Sequence, residues 1–504
     1  MVPALKALPL LTRLEEAELY HRVEDHGFFT LLWEDPEHAS RVKAVNAERR
    51  RLQRELAVWR AKPLTLFDPH PDAAIAALQA QLDALPRLSS KVQRAYRISD
   101  LPAVLQALDR DRDTWISQAE FTQPNRRLVH LLRIPLCFVD LDTYKTPFNR
   151  ESPEQLYQRV WGYCLDEDVP APSLILFSGR GLQVKWLLER AIPRAALPRW
   201  NAVQKQLVTG LERFGADHGA RDASRVLRLV DTVNTRSGER VRVLWVNEQD
   251  GHIQHYPFEY LAEVILPDTR DTIREERQAR EEQRTKPALT VIPGSKTGNL
   301  RAFSGRQLAW DRLEDLRTLA RVRGWMEQGI PHGYRSKYLH WCLNFLALSG
   351  AVTANQLYRE AEALVQEVCP DFTKDVRSVL VTLYRKAQAY EAGETIEFGG
   401  KKYPPLYTPR NSTLLELFDV QETEIPHLKT IIPREVAQTR EATHKREYRI
   451  RLGAMNRTAY LEKVRENAEQ RQAQAQALKA KGLSIGDIAV AMEVSKSQVY
   501  RYLG

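Results

Sequence analysis

The sequence predicts an α+β protein in which a core with a mixed sheet stands between helical regions. Apolar residues recur at helical spacing in the first part of the chain, strand-like and helical segments alternate between residues 126 and 265, and helices return from residue 304 onward. The chain has 504 residues. At about 150 residues per domain, that length has room for roughly three domains.

Changes in composition divide the chain into six segments. Residues 1–99 are predicted to be an N-terminal helical arm, because Leu52, Leu56 and Trp59 lie at helical spacing among Arg and Glu. The remaining segments are the core at 100–267, a linker at 268–303, a helical middle domain at 304–420, a second linker at 421–456, and a basic helix followed by two short helices at 457–504.

Within the core, short apolar runs predict strands and amphipathic runs predict helices. Strands are expected at 134–142 (IPLCFVDLD), 173–177 (SLILF), 182–188 (LQVKWLL), 224–230 and 240–246 (RVRVLWV). Helices are expected at 154–165 and 198–214. This alternation is the basis of the α+β assignment.

Charge and apolar patterning narrow the class of protein. Lys plus Arg number 74 and Asp plus Glu number 65, so the formal net charge is 74 − 65 = +9. A positive excess favours a polyanionic partner without choosing which one. No apolar run approaches the roughly 18 residues that a membrane span needs. Residues 1–18 lack the small-residue cleavage site of a signal peptide, so a cytoplasmic location with no membrane partner is expected.

Two acids at the end of an apolar run give the first chemical signal. Asp140 and Asp142 are two residues apart, and on a strand such residues point to the same face. Two neighbouring carboxylates repel each other unless a divalent cation lies between them. Hard oxygen ligands suit Mg²⁺ or Mn²⁺. The alternative is a strand end that is acidic without binding any metal.

A glycine-rich turn follows the next predicted strand. The segment runs SGRGLQVKW, from Ser178 to Trp186. Glycines such as Gly179 let backbone amides approach a phosphate closely, and Ser178, Arg180 and Lys185 add a hydroxyl and two positive charges. The alternative is a tight turn between two strands with no ligand.

A third acid precedes a strand rich in arginine. Asp217 lies in the segment GADHGARDASRVLRL, which also carries Arg225 and Arg228. Three carboxylates can hold two metal ions that clamp the attacking oxygen and the leaving pyrophosphate of a nucleotidyl transfer. Asp222 and Asp231 are rival candidates for the third ligand.

The order of these motifs resembles the archaeo-eukaryotic primase superfamily, and within it the primases and replication proteins of bacterial plasmids and mobile elements. The resemblance covers about residues 100–250 and implies that Asp140, Asp142 and Asp217 bind the metals. It also implies that the SGRGLQ segment holds the incoming triphosphate, with Gln183 in the place of the family's histidine. Gln183 donates hydrogen bonds but carries no charge, and Arg180 and Lys185 would compensate.

The resemblance further implies partners for the core. These are nucleoside triphosphates and a single-stranded DNA template, with Arg225 and Arg228 in contact with phosphate or template; a replicative helicase is a further candidate. The segment 333–386 is similar to the helical domain that follows many such primase cores, and a plain helical bundle is the alternative.

The C-terminal 23 residues (482–504) carry a second motif. Ser484 and Ser495 are placed to cap two short helices, whose apolar face would consist of Ile488, Ala489, Met492, Val494, Val499 and Leu503. This pattern resembles the helix-turn-helix of resolvases. Residues 495–502 would then be the recognition helix, with Ser495, Ser497, Gln498 and Arg501 contacting duplex origin DNA. The alternative is a helical hairpin that stabilises an oligomer.

Two hypotheses follow from these motifs. The first is a metal-dependent primase or primase-polymerase that starts the replication of a plasmid or mobile element. The second is a replication initiator that binds DNA and keeps the primase fold without its chemistry, and Gln183 is the residue that motivates it.

Overall fold

The computed structural model describes most of the chain. The described residues are 16–23, 26–61, 71–86, 88–89, 91–167, 169–266, 297–372, 375–451 and 457–504. The chain divides into two compact units. The first contains the described residues up to Pro409 together with Gln421–Lys429, and the second contains Arg410–Val420 and Thr430–Gly504.

A nine-stranded sheet forms the core of the first unit. Its order is β11-β6-β7-β5-β4-β1-β3-β8, with β2 paired to β1. The strands are β1 (Phe28–Trp33), β2 (Val92–Arg97), β3 (Thr114–Ser117), β4 (Glu120–Phe121), β5 (Leu131–Leu141), β6 (Leu174–Phe177), β7 (Leu182–Pro193), β8 (Val226–Arg228) and β11 (Arg242–Val246). Two small hairpins accompany the sheet, β9 (Val233–Asn234) with β10 (Glu239–Arg240), and β12 (Glu248–Gln249) with β13 (His252–Ile253).

The predicted α+β class is confirmed, but the sheet differs from the expected mixed one. The named strands pair antiparallel, and an isolated bridge between Leu188 and Tyr256 is parallel. A tight turn joins β6 and β7 and so makes them antiparallel, whereas β1 and β2 are antiparallel although helices separate them in the sequence. Helices between strands therefore did not indicate parallel pairing in this sheet.

The N-terminal region is not only a helical arm, and this corrects the expected boundary at residue 99. Its helices α1 (Pro36–Ala61) and α2 (Pro71–Ala84) are present, but β1 and β2 flank them and belong to the core sheet. Strand β1 lies between β4 and β3 and has the sequence FFTLLW, whose four inner residues are buried. A fully buried strand lacks polar alternation, so its short apolar run gave no clear signal of a strand.

Helices cover the sheet and its edges. The core helices are α3 (Leu101–Gln106), α4 (Pro153–Asp166), α5 (Leu197–Gly210) and α6 (Phe258–Ile265). Helix α5 packs beside β5, where Trp200 Nε1 donates to the Leu136 carbonyl over 3.0 Å and the Trp200 ring lies 6.0 Å from that of Phe138. Both aromatic side chains are fully buried. The strand that carries the acids is thus held rigidly up to its last residues.

A helical region follows within the first unit. It contains α7 (Thr297–Val322), α8 (Trp325–Gln328), α9 (Arg335–Leu348), α10 (Ala354–Val368) and α11 (Val376–Glu391), then the hairpin of β14 (Ile396–Phe398) and β15 (Lys401–Tyr403). Buried polar contacts join it to the core: Glu360 Oε2 accepts from the Val129 amide at 2.9 Å, and Arg194 lies 2.6 Å from Glu314 Oε1. Of the expected linker at 268–303, residues 268–296 lie outside the described residues, and α7 occupies the rest.

The second unit is helical throughout its described elements. It contains α12 (Asn411–Leu417), α13 (Arg434–Arg451), α14 (Arg457–Ala480), α15 (Ile485–Ala491) and α16 (Lys496–Leu503). Half of the expected linker at 421–456 is the helix α13, and residues 452–456 lie outside the described residues. Among the described helices of the whole chain, none combines the length and apolar character that a bilayer crossing requires.

Candidate active site

Folding brings the third acid beside the first two. The backbone of residues 215–217 pairs with the end of β5: the Asp142 amide donates to the Gly215 carbonyl over 2.8 Å, and the Asp217 amide donates to the Asp140 carbonyl over 2.9 Å. Leu141 and Ala216 form an antiparallel bridge between them. The two segments are 75 residues apart in the sequence, so only the tertiary fold joins Asp217 to the pair.

The three carboxylates influence one another electrostatically. Burial, together with the charges of Asp142 and Asp217, raises the pKa of Asp140 to about 7, although Arg225 and Lys185 oppose this rise. Asp142 is paired with Lys145 Nζ at 2.5 Å, and Asp217 Oδ1 accepts from the Gly219 amide at 2.8 Å. Within the described ranges, no three His, Cys, Asp or Glu side chains already converge around a space for a metal ion.

The rival acids are engaged elsewhere. Asp222 Oδ1 accepts from the Ser224 amide at 3.1 Å, and Asp231 is exposed and lies 3.3 Å from Arg240. Neither is bonded to the backbone of β5 in the way that Asp217 is. Asp217 is therefore the acid whose position best matches the predicted third ligand.

The glycine-rich turn closes the hairpin between β6 and β7. The Ser178 amide donates to the Gly181 carbonyl over 2.9 Å, and Ser178 Oγ accepts from the Gly181 amide at 3.3 Å. Gly179 has a φ of +89°, and Asn234 Nδ2 donates to the Ser178 carbonyl over 3.0 Å. Arg180 is exposed and lies 4.0 Å above the ring of Tyr144. The turn thus presents one exposed cation next to the acids, while the Ser178 and Gly181 amides are bonded within the turn.

Two glycines allow the turn and the Asp217 segment to approach β5. A Cβ on Gly181 would lie 2.0 Å from the Leu141 carbonyl oxygen, and a Cβ on Gly215 would lie 2.7 Å from that of Asp142. Side-chain carbons cannot occupy such positions. Both glycines are thus required because the two segments meet the last residues of β5 backbone to backbone.

Gln183 on β7 lies next to Asp140 on the adjacent strand β5. The two residues are direct partners in the register of β5 and β7. Gln183 is 1 % exposed, and its Oε1 has no hydrogen-bond partner among the described atoms. A buried oxygen without a donor normally costs free energy, which a cation or a protonated carboxyl group would recover.

Lys185 does not point toward a ligand, which corrects its predicted contact with the triphosphate. It is fully buried, its Nζ lies 2.5 Å from Glu16 Oε1, and it lies 5.0 Å from the centre of the Tyr20 ring. Burial lowers its pKa, while Glu16 and Asp140 raise it. Lys185 is therefore an internal counter-charge, and its place between Val184 and Trp186 in a buried strand was the signal in the sequence.

The two predicted arginines have different roles. Arg225 is partly exposed, donates to the Gly219 carbonyl, and lies close enough to lower the pKa of Asp140. Arg228 instead pairs with Asp113, which is buried, and lies 4.6 Å from the centre of the Trp115 ring. Only Arg225 therefore accompanies the acids directly.

Sequence reasoning missed the segment that follows the acid pair. Thr143 Oγ1 donates to the Arg180 carbonyl over 3.4 Å, and Lys145 holds the Asp142 carboxylate. Tyr144 lies beneath the Arg180 guanidinium. Burial is the main cause that raises the pKa of Tyr144, and Asp142 raises it as well. The signal was available, because the letters TYK come directly after the DLD motif.

The C-terminal helices form a small independent core. Ile488, Ala489 and Val499 are buried and pack against a ring of half-buried apolar side chains, namely Leu478, Leu483, Ile485, Met492, Val494 and Leu503. The predicted apolar face is thus confirmed. Helices α15 and α16 both begin with a capping box, formed by Ser484 with Asp487 and by Ser495 with Gln498.

The capping box changes the expectation for two of the four predicted DNA contacts. Ser495 Oγ accepts from the Gln498 amide at 3.3 Å, and Gln498 Oε1 accepts from the Ser495 amide at 3.1 Å, so both side chains hold the start of α16. Ser497 and Arg501 are exposed on the same helix. These two remain the better placed residues for contacting DNA.

Residues 462–504 match the family model of the helix-turn-helix domain of resolvase. The C-terminal unit carries a resolvase-type helix-turn-helix. This helix-turn-helix includes the whole of α15 and α16 and most of α14. The family match agrees with the packing of its apolar core.

Over part of its length the chain is similar to a known replication protein. A "Replication protein" of Clostridium perfringens is 26% identical over 327 residues, which are 64% of this chain and 69% of that protein. This similarity confirms the predicted resemblance to replication proteins. The family match confirms the predicted C-terminal helix-turn-helix.

Two solved structures show weaker likeness. The archaeo-eukaryotic primase domain of the cyanophage S-2L primase-polymerase is 17% identical with a TM-score of 0.24, covering 34% of this chain and 80% of its own. The primase RepB' is 13% identical with a TM-score of 0.23, covering 74% of this chain and 96% of its own. At such TM-scores these structures carry no argument about this chain.

Replacing Arg501 is expected to weaken duplex binding by the resolvase-type helix-turn-helix. For Arg501→Gln we expect a loss of affinity between about tenfold and a hundredfold, the usual effect of losing an arginine contact to a base. The measurement is fluorescence anisotropy with duplex fragments that tile the DNA around the gene of this protein. Ser495→Ala is the comparison variant, because it removes the helix cap and lowers stability by about 1 kcal/mol. Unchanged affinity of Arg501→Gln for every fragment would exclude this arginine from the interface.

Proposed function

We propose that this protein is a metal-dependent primase or primase-polymerase that initiates the replication of a plasmid or mobile element. One observation carries the proposal. The backbone of residues 215–217 pairs with the end of β5 and so places Asp217 beside Asp140 and Asp142, while the Ser178–Gly181 turn packs on that same strand end through Gly181. Acids for metals and amides for phosphates thus meet at one point.

The side chains beside the end of β5 offer the oxygen ligands that a divalent cation prefers. Asp140, Asp142 and Asp217 would hold Mg²⁺ or Mn²⁺, which prefer carboxylate oxygens, and the unpartnered Oε1 of Gln183 adds a neutral oxygen beside them. Bound there, such ions would supply Lewis-acid stabilisation of the charge that develops on phosphate oxygens. The high pKa of Asp140 supports the same reading, because a buried group of carboxylates is short of positive charge.

The residues of the chain itself would bind and orient the nucleotide. The Gly179 and Arg180 amides at the tip of the turn would bind the triphosphate, and the Arg180 guanidinium, which lies over Tyr144, would pair with it. Arg225 would neutralise a phosphate close to Asp140. A tightly packed strand end beneath these groups would keep them in place, which is how positioning contributes to rate.

The helix-turn-helix would bring the core to duplex DNA at an origin. Its exposed Ser497 and Arg501 lie on the predicted recognition helix, and the formal charge of +9 favours a polyanion. We propose nucleoside triphosphates and single-stranded template as the ligands of the core. A replicative helicase is a further proposed partner.

The test is primer synthesis on a single-stranded template. The purified full chain is incubated with Mg²⁺ or Mn²⁺ and with labelled ribonucleotides or deoxyribonucleotides in separate reactions. Products longer than the labelled nucleotide, formed only when metal is present, support the proposal. Binding to origin DNA without synthesis under any combination would favour a non-catalytic initiator. Two observations favour the non-catalytic initiator: Gln183 beside Asp140 carries no charge, and Lys185 is paired with Glu16.

A further inference from the structure

A group of cations lies at an edge of the core sheet. Its members, which we call the basic track, are Lys91, Arg126, Arg228 and Arg236, and two of them, Lys91 and Arg228, lie over the ring of Trp115. In the register of β3 and β8, Trp115 is directly opposite Arg228. Lys91 lies just before β2, and Arg236 follows β9. Four separate parts of the sequence thus contribute positive charge to one surface.

Trp115 holds two of these cations. Lys91 Nζ lies 2.9 Å from the ring centre, and Arg228 Cζ lies 4.6 Å from it. The Lys91 side chain keeps 27% of its surface exposed and that of Arg228 keeps 14%. Cations that rest on an aromatic ring are already ordered and partly dehydrated, so less entropy is lost when an anion binds them.

Arg126 connects this surface to the acids. Its Nε donates to Gln93 Oε1 on β2 over 3.1 Å, and its guanidinium also donates to the Ser224 carbonyl over 2.8 Å. Ser224 is followed by Arg225, whose charge acts on Asp140. The cations thus follow one another from the edge of the sheet toward the end of β5, with Asp222, which lies 3.6 Å from Arg225, beside them.

The cations of the basic track repel one another. Burial, together with the charges of Arg228, Arg236 and Arg126, lowers the pKa of Lys91 to about 8, although Glu34, 3.9 Å away, opposes this. Burial likewise lowers the pKa of Arg126 to about 10, to which Arg127, Arg225 and Arg359 contribute. Such repulsion is relieved when a polyanion binds.

We propose that the basic track binds the sugar–phosphate backbone of single-stranded DNA and leads that strand to the acids at the end of β5. The identity of this strand as template rests on the proposed function, whereas its binding does not. A chain of regularly spaced phosphates fits a line of several cations, and contacts to phosphates carry no sequence preference. The basic track and Arg225 together supply five cations against three carboxylates, namely Glu34, Asp113 and Asp222, which leaves a surplus of positive charge.

The test measures binding of the full chain to a labelled single-stranded oligo(dT) across a range of NaCl concentrations. The variant is Lys91→Gln with Arg236→Gln, and we expect it to bind more weakly and to lower the salt slope by about 1.4, the value for two phosphate contacts on a single strand. The control is Arg190→Gln with Lys205→Gln, which removes the same charge from exposed residues on β7 and α5. Thermal melting verifies that both variants are folded.

The outcomes separate this proposal from the proposed function. Equal affinity and slope for the variant and the control would overturn the basic track, even if the protein synthesises primers. Loss of oligo(dT) binding in the variant, with no primer made by the wild type, would support the track and reject the enzyme. Displacement of oligo(dT) by polyglutamate of equal charge as readily as by unlabelled oligo(dT) would also count against a DNA site.

Discussion

Replacing Asp140 with asparagine is expected to lower primer synthesis by about a hundredfold or more. The change keeps the shape of the side chain but removes one of the three charges that would hold divalent cations. Metal ions stabilise developing charge by several kcal/mol, and about 1.4 kcal/mol corresponds to a factor of ten in rate. The measurement is the initial rate of primer extension with saturating Mn²⁺.

Asp166→Asn is the matched control for this variant. Asp166 is exposed at the end of α4, so the same loss of charge should leave synthesis unchanged. Synthesis by Asp140→Asn at the wild-type rate would show that the assigned acids do not perform the chemistry. Binding of oligo(dT) should be retained by Asp140→Asn, because the basic track does not include this residue.

The same variant has an expected effect on stability that does not depend on activity. The pKa of Asp140 is about 7 in the fold against an ordinary value of 3.8. Folding therefore favours the protonated form of Asp140. This preference stabilises the folded wild type in full below about pH 4, and the stabilisation is lost as the pH rises through about 7. Relative to wild type, Asp140→Asn should gain a few kcal/mol of unfolding free energy between pH 4 and pH 8, on the order of 1.4 kcal/mol per unit of pKa.

Metal binding gives this comparison a second readout. At pH 8, Mn²⁺ should raise the melting temperature of the wild type, because a cation between the carboxylates stabilises the folded state. The melting temperature of Asp140→Asn should respond much less. An equal rise in both proteins would indicate that Mn²⁺ binds away from these acids.

Replacing Gly181 with alanine is expected to destabilise the core by about 3 kcal/mol or more, at the upper end of the cost of overpacking. The new Cβ would lie 2.0 Å from the Leu141 carbonyl oxygen and 3.1 Å from its carbon. Because both neighbours are backbone atoms of Leu141, which is fully buried, neither can turn aside. The turn would have to move away from Asp140 and Asp142, so primer synthesis should fall together with the melting temperature.

Gly162→Ala is the control for this prediction. Gly162 lies in the interior of α4, and a Cβ there would have nothing within 4 Å. Alanine is a better helix former than glycine by about 1 kcal/mol, so this change should be neutral or stabilising. If Gly181→Ala melts at the wild-type temperature and remains active, the turn does not pack on β5 as described.

The local motifs were predictable from the sequence. The acid pair of Asp140 and Asp142, the turn that begins at Ser178, and the two capped helices of the C-terminus each depend on neighbours a few residues away. Strand alternation, glycine in a turn and serine at a helix start are local rules, and the structure has a strand, a turn and two capped helices at those places. The cap of α16 also shows a limit, because Ser495 was expected to serve both the helix and the DNA.

The misplaced residues have a common physical cause. The residues that flank Lys185 in the sequence are the same whether its side chain contacts a nucleotide or Glu16. Only the packing of the N-terminal segment that carries Glu16 against β7 decides between these two contacts. Likewise β1 was hidden in a region of helices, because a short apolar run is compatible with either structure.

The sequence by itself determined the types of chemistry in this protein: carboxylates, a glycine turn, a surplus of positive charge and a helix-turn-helix. Only the tertiary structure decided which of these act together. It joined Asp217 rather than Asp222 or Asp231 to the strand of Asp140, and it brought Lys91 and Arg228 onto the ring of Trp115. The reason is that pairing between distant strands depends on the complementarity of whole surfaces, which no local pattern of residues encodes.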